Sequence, residues 1–412
     1  MKKIAFLMSA LALVVFASCD NKENGDTDFD NLIEDGWYIV GPATGFDNVS
    51  TKCLMAPGTN EQDSNNPREG LYEKYIILEA GKTFEVVNYV LEEEVARYGA
   101  DMAEWDVTKF SDWPSKAPVY LGALNTTPIT VDETGLYYVA LDLNLDEKLT
   151  APQLLMTKVN FGVMGSMTGW ASDVDMTASE ISNNSITFKA TGVQFKDGDE
   201  YKYRLNYGWK IFFDAVEDPN AANAGDKYKI AVNINLGAGM VPGASNISGV
   251  AAGIYDINLV FTQNAGSISN SFKETMVKTG DAVATDYSNC EMELVGAGVA
   301  SQEGAVSDPS SWEWGNVLPA GKPVKEGTTY TWTWNNVSLL ADGFKIRTVN
   351  FAESGGVAAF DLGSGNVNKD ASVAIEETGD IKVTAAGTYN ITLTIAIDGV
   401  SETKTIVITS AN

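Results

Sequence analysis

Apolar and polar residues alternate in short runs along this chain, a pattern typical of half-buried β-strands. In GTYNITL at 387–393, the Tyr, Ile and Leu fall on one face and polar side chains fall on the other. Clusters of Gly, Asn and Asp, such as KDGDE at 196–200, separate the runs and predict hairpins. Helical periodicity is scarce, and its best example is LEEEVARYG at 91–99. We therefore predict an all-β chain of antiparallel β-sandwiches.

Three sequence landmarks recur in the same order: an apolar strand that ends in Gly, a strand that begins with an aromatic residue, and Gly-x-Tyr followed by alternating apolar residues. They lie at 38–46, 84–88 and 135–141 in the first copy, at 161–170, 201–206 and 253–259 in the second, and at 292–298, 344–350 and 387–393 in the third. Their spacing is nearly constant, since the first and third landmarks are separated by 94 residues from Gly41 to Gly135, 88 from Gly165 to Gly253, and 91 from Gly296 to Gly387. A repeat of this kind indicates tandem units.

The repeat predicts three tandem β-sandwich domains, immunoglobulin-like or similar to carbohydrate-binding modules. We place them at 36–156, 157–280 and 288–412, a normal size for a domain. The stretches around 152–158 and 277–289 are predicted to be linkers.

The N-terminus predicts export. Two lysines at positions 2 and 3 precede an apolar run at 4–16 and the sequence FASC, which ends at Cys19. This arrangement predicts a signal peptide at 1–18. FASC resembles a bacterial lipobox, so we predict that Cys19 is lipidated and anchors the chain to a membrane through a polar, acidic tether at 19–35. An ordinary secretory signal with an incidental Cys is the alternative.

The negative net charge and the absence of histidine exclude several functions. The chain has 28 Lys and Arg against 55 Asp and Glu, a formal net charge of −27. Such a surface repels phosphate backbones, so we predict no nucleic-acid partner. There is no His, which excludes Ser-His-Asp and Cys-His nucleophiles and His-ligated zinc.

No cofactor or metal is predicted. Asp142, Asn144 and Asp146 offer oxygen ligands at alternate positions, but they lack the Gly turn of a calcium loop. Cys53 and Cys290 are isolated, and we interpret both as buried small hydrophobic residues.

Two strands carry a Lys and an Arg on one face. In YKYRLN, Tyr201 and Tyr203 share a face, so Lys202 and Arg204 project from the opposite one. Lys345 and Arg347 have the same relation in the third unit. Either the pairs bind a ligand, or they form ion pairs with the many carboxylates on a solvated face.

Several tryptophans are candidates for ligand platforms. Trp170 follows a TG turn, Trp209 follows the second Lys/Arg strand, and Trp312 and Trp314 lie in a turn-rich insertion. Trp334 takes a position where the second unit has only Ala, so we predict a platform there as well. Sugar rings stack on flat aromatic side chains while their hydroxyls bond to Lys, Arg and Asn. The alternative is that these indoles close the ends of the sandwiches.

The lipobox, the acidic tether and the repeated motifs (G-x-x-TGW, FK-x-R and GxY-x-[VI]-x-L) resemble the SusE/SusF family of Bacteroidetes starch-binding outer-membrane lipoproteins. This resemblance implies a non-catalytic, lipid-anchored protein on the cell surface that binds starch or a related glucan beside a SusC/SusD-like importer. It also implies site residues, which are Trp170, Lys202, Arg204, Asn206 and Trp209 in the second unit, and Trp312 or Trp314 with Lys345, Arg347 and Asn350 in the third.

The first unit departs from this pattern. Phe46 stands at the position of the Trp, and Glu85 and Val87 stand at the positions of the Lys/Arg pair. We predict that this unit does not bind glycan through such a site.

Two other functions are compatible with the sequence. A structural or adhesin-like lipoprotein would use the sandwiches to contact proteins. A carboxylate-based glycoside hydrolase would need two acids at a defined separation, and no acid recurs in a motif with the aromatic residues.

Overall fold

The structure is a computed structural model that describes residues 33–107, 115–170, 172–182, 184–216, 229–264, 266–307, 315–368 and 374–411. The predicted signal peptide, Cys19, most of the tether, Trp312 and Trp314 lie outside the described residues. The described chain consists of β-strands and short 3₁₀-helices without an α-helix, so the predicted all-β fold class is confirmed. Within these residues no helix is long and apolar enough to cross a membrane.

Every sheet is confined to one of three stretches, 36–158, 161–280 and 292–410, which we call the first, second and third modules. The strands of the first module are β1 Gly36–Val40, β2 Ala56–Asn60, β3 Asn66–Leu78, β4 Thr83–Val90, β5 Glu93–Ala100, β6 Ala103–Glu104, β7 Val119–Asn125, β8 Ile129–Thr130, β9 Gly135–Asp142 and β10 Gln153–Lys158. Those of the second are β11 Phe161–Gly165, β12 Val174–Asp175, β13 Thr177–Ser179, β14 Ser185–Phe195, β15 Tyr201–Leu205, β16 Lys210–Phe212, β17 Ala231–Asn233, β18 Asn235–Leu236, β19 Gly253–Thr262 and β20 Phe272–Gly280.

The other strands of the described residues lie in the third module. Its strands are β21 Met292–Val295, β22 Val306–Ser307, β23 Asn316–Gly321, β24 Val324–Glu326, β25 Thr329–Leu339, β26 Gly343–Thr348, β27 Asp361–Leu362, β28 Ile375–Thr378, β29 Asp380–Val383, β30 Gly387–Asp398 and β31 Ser401–Ser410. The 3₁₀-helices in the described residues are Pro42–Thr44, Thr51–Cys53, Glu61–Asp63, Ser166–Thr168, Ala238–Met240, Ile268–Ser271, Val349–Phe351 and Ser364–Asn366.

The second and third modules are two-sheet sandwiches. In the second, the sheet β12-β11-β15-β18 faces the sheet β13-β14-β19-β20. In the third, the sheet β22-β23-β21-β26-β29-β28 faces β24-β25-β30-β31. The first module forms one continuous path, β1-β4-β5-β7-β10-β9-β3-β2. Side chains from β1 and β4 pack in one core with side chains from β3, β9 and β10, so this path folds over on itself.

The landmark strands pair in the same register in all three modules. Each Gly-terminated strand is antiparallel to the aromatic-led strand, as β1 with β4, β11 with β15, and β21 with β26. At the position of the predicted Arg, the residues that face each other across the two strands are Tyr38 and Val87, Gly162 and Arg204, and Glu293 and Arg347. Since the register is shared, Glu85 and Val87 are the structural equivalents of the Lys/Arg pairs.

The stretch with the best helical pattern and one of the two predicted linkers are both largely strand in the structure. Residues 91–99 are not helical, because Leu91 and Glu92 form a two-residue turn that joins β4 to β5 as a hairpin. The predicted linker at 152–158 is β10, a strand that pairs with both β7 and β9. Five of its six residues are buried, because the sheet is covered on both faces.

The first and second modules share one hydrophobic core. Tyr75 and Tyr138, on the outer face of the first module's sheet, belong to the same buried cluster as Phe161 and Phe272 of the second module. The ring of Tyr75 meets that of Phe272 edge-on, with centroids 5.0 Å apart. This packing explains why all eight residues of β9 are buried.

A polar joint connects the second module to the third. Glu402 of β31 accepts hydrogen bonds from Lys196 Nζ, from Thr285 Oγ1 at 2.7 Å and from Tyr287 Oη at 2.7 Å. Burial alone would raise the pKa of the Glu402 carboxyl, but these hydrogen bonds outweigh burial and lower the pKa to about 2. The carboxylate therefore stays charged at neutral pH.

Candidate functional site

The loop that carries Trp170 is fixed by glycines and by the third module. After β11 the chain makes a 3₁₀ turn over Ser166–Thr168, and Gly169 follows with a φ of 61°. The carbonyl of Ala359, in the third module, lies so close that a side chain at Gly169 would collide with it. Trp170 also has a positive φ, 57°, and its amide donates to the Gly165 carbonyl at 2.9 Å. A bulky residue held in the left-handed region is strained, and such strain is concentrated at functional sites.

The loop that carries Trp209 leaves the end of β15 through two consecutive left-handed residues, Asn206 with a φ of 49° and Tyr207 with a φ of 64°. The Trp209 carbonyl then accepts hydrogen bonds from the Ile234 amide at 3.1 Å and from Asn235 Nδ2 at 3.0 Å. These bonds hold the Trp209 backbone against the strands of the second module.

The two loops bring Trp170 and Trp209 together. Their ring centroids are 6.2 Å apart, and the ring planes are tilted by 37°. Both side chains are half-buried, so each leaves part of its ring in solvent. The pair forms a tilted aromatic platform on the surface of the second module, and we call it the indole pair.

Arg204 contacts the Trp209 ring of the indole pair. Its guanidinium lies 5.0 Å from the centre of the Trp209 ring, a cation–π distance. Asp173 binds the guanidinium through both carboxylate oxygens, with the Nε–Oδ1 distance at 3.0 Å. Gly162 faces Arg204 across the strand pair, and a side chain there would collide with Asp173. Arg204 is only 2% exposed, so it orients Trp209 rather than offering its donors to a ligand.

Lys202 lies beside the same ring and is half-buried. Its Nζ is 6.0 Å from the centre of the Trp209 ring and donates to Asn235 Oδ1 at 3.2 Å. Burial of the amine disfavours its charged form and lowers its pKa. Among the predicted polar residues of this module, Lys202 is the one with a partly exposed amine near the indole pair.

The predicted role of Asn206 as a ligand contact is wrong. Its side chain is 1% exposed and donates to Thr157 Oγ1 at 3.1 Å and to the Lys158 carbonyl at 2.8 Å. Its Oδ1 accepts from the Asn160 amide at 2.9 Å. The residue ties β15 to the connection between the first two modules.

The equivalent face of the third module is also occupied by ion pairs. Lys345 Nζ is half-buried and donates to Asp361 Oδ2 at 3.0 Å. Arg347 is fully buried, and its Nε donates to Glu293 Oε1 at 2.7 Å. The prediction that Arg347 contacts a ligand directly is therefore wrong. The side chain of Asn350 is exposed, so its predicted contact stays a prediction.

Trp334 is not a platform. It is 4% exposed, belongs to the core of the third module, and donates from Nε1 to the Leu318 carbonyl at 3.0 Å. The alternation of β25 places it on the same inward face as Trp332. Trp312 and Trp314 lie outside the described residues, so their predicted role stays a prediction.

The first module has no counterpart of this arrangement at the matching positions. Phe46 packs against the module's core, Glu85 pairs with Arg97 at 2.8 Å, and Val87 is fully buried. That this module does not bind glycan through such a site stays a prediction.

The oxygen-rich stretch at 142–146 binds an arginine. Arg68 Nε donates to Asp142 at 2.6 Å, and its Nη2 donates to Asp146 at 2.7 Å. No group of three or more potential metal-ligating carboxylates or thiols occurs in the described part of the chain. Cys53 and Cys290 are fully buried, as predicted, and both are free thiols in the structure.

Two polar residues of the site were not found from the sequence. Asp173 comes from a loop and not from the strand opposite Arg204, whereas Glu293 in the third module does come from that strand. Asn235 is on β18, far along the chain from Lys202. No local pattern signals either residue, because both reach the site only through the antiparallel packing of the second module.

This chain shows little similarity to known proteins. The chain matches no protein-family model and no curated protein. In a comparison of structures it matches the crystal structure of SusF from Bacteroides thetaiotaomicron, over 82% of this chain and 72% of that chain, with 14% identity and a TM-score of 0.18. A match at this identity and TM-score carries no functional conclusion to this chain.

Proposed function

We propose that this chain is a non-catalytic protein that binds starch or a related neutral glucan through the indole pair of the second module. The tilted pair of half-buried indoles, 6.2 Å apart, is the observation that carries the proposal. Flat side chains with few rotatable bonds provide contact area at low entropic cost. Two planes tilted by 37° suit a polymer that turns from one ring to the next, as an α-glucan does.

The surroundings of the indole pair favour a neutral ligand. Lys202 provides the partly exposed donor, and a formal net charge of −27 opposes the approach of anionic polymers. The guanidinium of Arg204 is buried and neutralised by Asp173, so it adds little attraction for a carboxylate or phosphate at this pair.

Binding without hydrolysis is supported by the carboxylates near the indoles. Asp173 is 1% exposed at its side chain and is held by Arg204. Asp175 accepts a hydrogen bond from Tyr207 Oη at 2.7 Å. A hydrolase requires one acid that can release a proton and a second that can reach the sugar ring or a water, and these two carboxylates are already bound by neighbouring side chains.

The wider setting of the proposal rests on the sequence. Lipidation of Cys19 would place the protein on the outer membrane at the cell surface, with the tether at 19–35 allowing the modules to reach a polymer. A SusC/SusD-like importer is the proposed partner, and the third module is proposed to be a second glycan-binding module that uses Trp312 or Trp314 with Lys345 and Asn350. Several weak sites on one chain increase the total affinity through effective concentration.

The proposal is tested by titrating the chain from Asp20 onward with soluble starch, dextran and a soluble β-1,4-glucan. We expect binding to the α-glucan, and we expect Trp209→Ala to lower the affinity of this site roughly 30-fold, about 2 kcal/mol, since a central aromatic residue is removed. Isothermal titration measures the change.

The control is Phe46→Ala, which alters the first module's equivalent of Trp170, the other member of the indole pair, and should leave the affinity unchanged. A reducing-sugar assay on the same glucans is run in parallel. Clear release of sugar would replace the binding function by a hydrolytic one, and equal binding by wild type and Trp209→Ala would remove the indole pair from the site.

A further inference from the structure

The loop at 206–210, which carries Trp209, is attached to the first module at its start. Asn206 donates from Nδ2 to Thr157 Oγ1 and to the Lys158 carbonyl, both at the end of β10. The Lys116 amide, also in the first module, donates to the Asn206 carbonyl at 2.8 Å. The beginning of the loop is therefore fixed by residues from two separate parts of the neighbouring module.

The middle and the end of the loop are attached as well. Gly208 packs against the backbone of Ser115, where a side chain on Gly208 would lie 3.0 Å from the Ser115 nitrogen. Lys210, directly after Trp209, forms a half-buried ion pair with Glu61 of the first module at 2.8 Å. Because both charges are partly shielded from water, this pair is less screened than a fully exposed one.

A chain of asparagine side chains connects the first module to Trp209 itself. Asn65, in the turn before β3, accepts from Asn233 Nδ2 at 2.5 Å. Asn235 Nδ2 donates to Asn233 Oδ1 at 3.3 Å and to the Trp209 carbonyl at 3.0 Å. The Oδ1 of Asn235 accepts from Lys202 Nζ, so this chain of hydrogen bonds ends at the backbone carbonyl of Trp209 and at the amine of Lys202.

We infer that the first module positions the glycan-binding loop of the second module, and that Glu61 and Asn65 are positioning residues for Trp209 and Lys202. A loop that is ordered before the ligand arrives loses less entropy on binding. The affinity of the indole pair then depends on side chains of the first module that do not touch the ligand. The expected change in affinity rests on the proposed function, but the ordering of Trp209 is measurable without any ligand.

The experiment uses the chain from Asp20 onward labelled with 5-fluorotryptophan, with the Trp209 resonance assigned from Trp209→Phe. In the double variant Glu61→Gln, Asn65→Ala we expect the Trp209 fluorine signal to shift or broaden without ligand. Titration with maltoheptaose should show affinity reduced about fivefold to tenfold. A second double variant, Glu61→Gln with Asn65→Asp, keeps the acceptor oxygen at position 65. It should restore part of the wild-type fluorine signal and part of the affinity.

Glu79→Gln is the matched control, because it removes an exposed ion pair with Lys82 in the same module, away from the loop. It should change neither the fluorine signal nor the affinity. An unchanged Trp209 signal in the double variant overturns the inference, and so does an equal effect of Glu79→Gln. If wild type binds none of the glucans, the proposed function fails while the fluorine signal still decides whether the first module positions Trp209.

Discussion

The position of Arg204 is buried in every module, although the residue differs. Val87, Arg204 and Arg347 are 0%, 2% and 0% exposed, respectively. A valine is buried there without a partner, but each arginine needs a carboxylate, because an unpaired charge away from water is very costly. Asp173 meets this need in the second module and Glu293 in the third. The arginines are thus part of the fold, and their relation to a ligand is indirect.

Glu73 offers a test of burial at the joint between the first two modules. Burial raises the pKa of its carboxyl from 4.5 to about 7, although a hydrogen bond from Tyr138 Oη at 2.6 Å lowers it. The folded state therefore binds this proton more tightly than the unfolded state does. The contribution of Glu73 to stability is complete below about pH 4.5 and is lost as the pH rises to about 7.

We expect Glu73→Gln to remove the loss of stability that Glu73 causes as the pH rises. The variant should be more stable than wild type at pH 8, by on the order of 3 kcal/mol, and similar to it at pH 4. Urea unfolding at pH 4, 6 and 8 measures the difference. Glu69→Gln, on an exposed position of the same strand, should follow wild type, and an identical pH dependence in Glu73→Gln and wild type would contradict the expectation.

At the scale of elements, the hairpin between β4 and β5 has a turn whose residues do not suit it. Leu91 and Glu92 have φ values of 52° and 64°, and Leu91 is 82% exposed. Two-residue hairpin turns with two positive φ values favour Asn-Gly, because other residues pay a steric cost in the left-handed region. The hairpin forms nonetheless, since its strands pair with their neighbours in the sheet.

Replacing the turn by Asn-Gly should therefore stabilise the protein. For the double variant Leu91→Asn, Glu92→Gly we expect the free energy of unfolding to rise by about 1 kcal/mol. Differential scanning calorimetry measures the accompanying rise in the melting temperature. Val95→Gly, an exposed position in the interior of β5, should instead lower it, and a lower melting temperature in the Asn-Gly variant would show that the turn is not strained.

At the scale of the whole molecule, the first two modules are packed on one core and the third has its own. Phe161 belongs to the shared core and contacts Tyr75 of the first module and Phe188 and Phe272 of the second. The joint with the third module is polar and includes Glu402 and Lys196. Loss of the shared core should consequently affect two modules and leave the third folded.

We expect Phe161→Ala to cost about 3–5 kcal/mol and to lower the amide protection of β9 and β19 together. Hydrogen exchange followed by mass spectrometry measures this, with β30 retaining its protection. The converse variant, Leu393→Ala in the core of the third module, should lower protection in β30 alone. Loss of protection in β19 without loss in β9 would show that the first two modules unfold separately.

The sequence alone determined the strands and their repetition. Alternation, Gly-x-Tyr and the Gly-terminated strands are local signals, and the strands that they predict pair in one register in all three modules. The same signals selected Trp170 and Trp209, which the fold places 6.2 Å apart. Local patterns succeed here because each strand is defined by the alternation of its own side chains.

Only the tertiary structure decided what each face contacts. Trp334 resembled a platform and is in a core, Asn206 resembled a ligand contact and holds a module joint, and the segment at 152–158 resembled a linker and is β10. In each case burial comes from segments distant in sequence, above all from the packing of the first module on the second. A period of two separates the faces of a strand, but it contains no information about whether water, a ligand or another module covers each face.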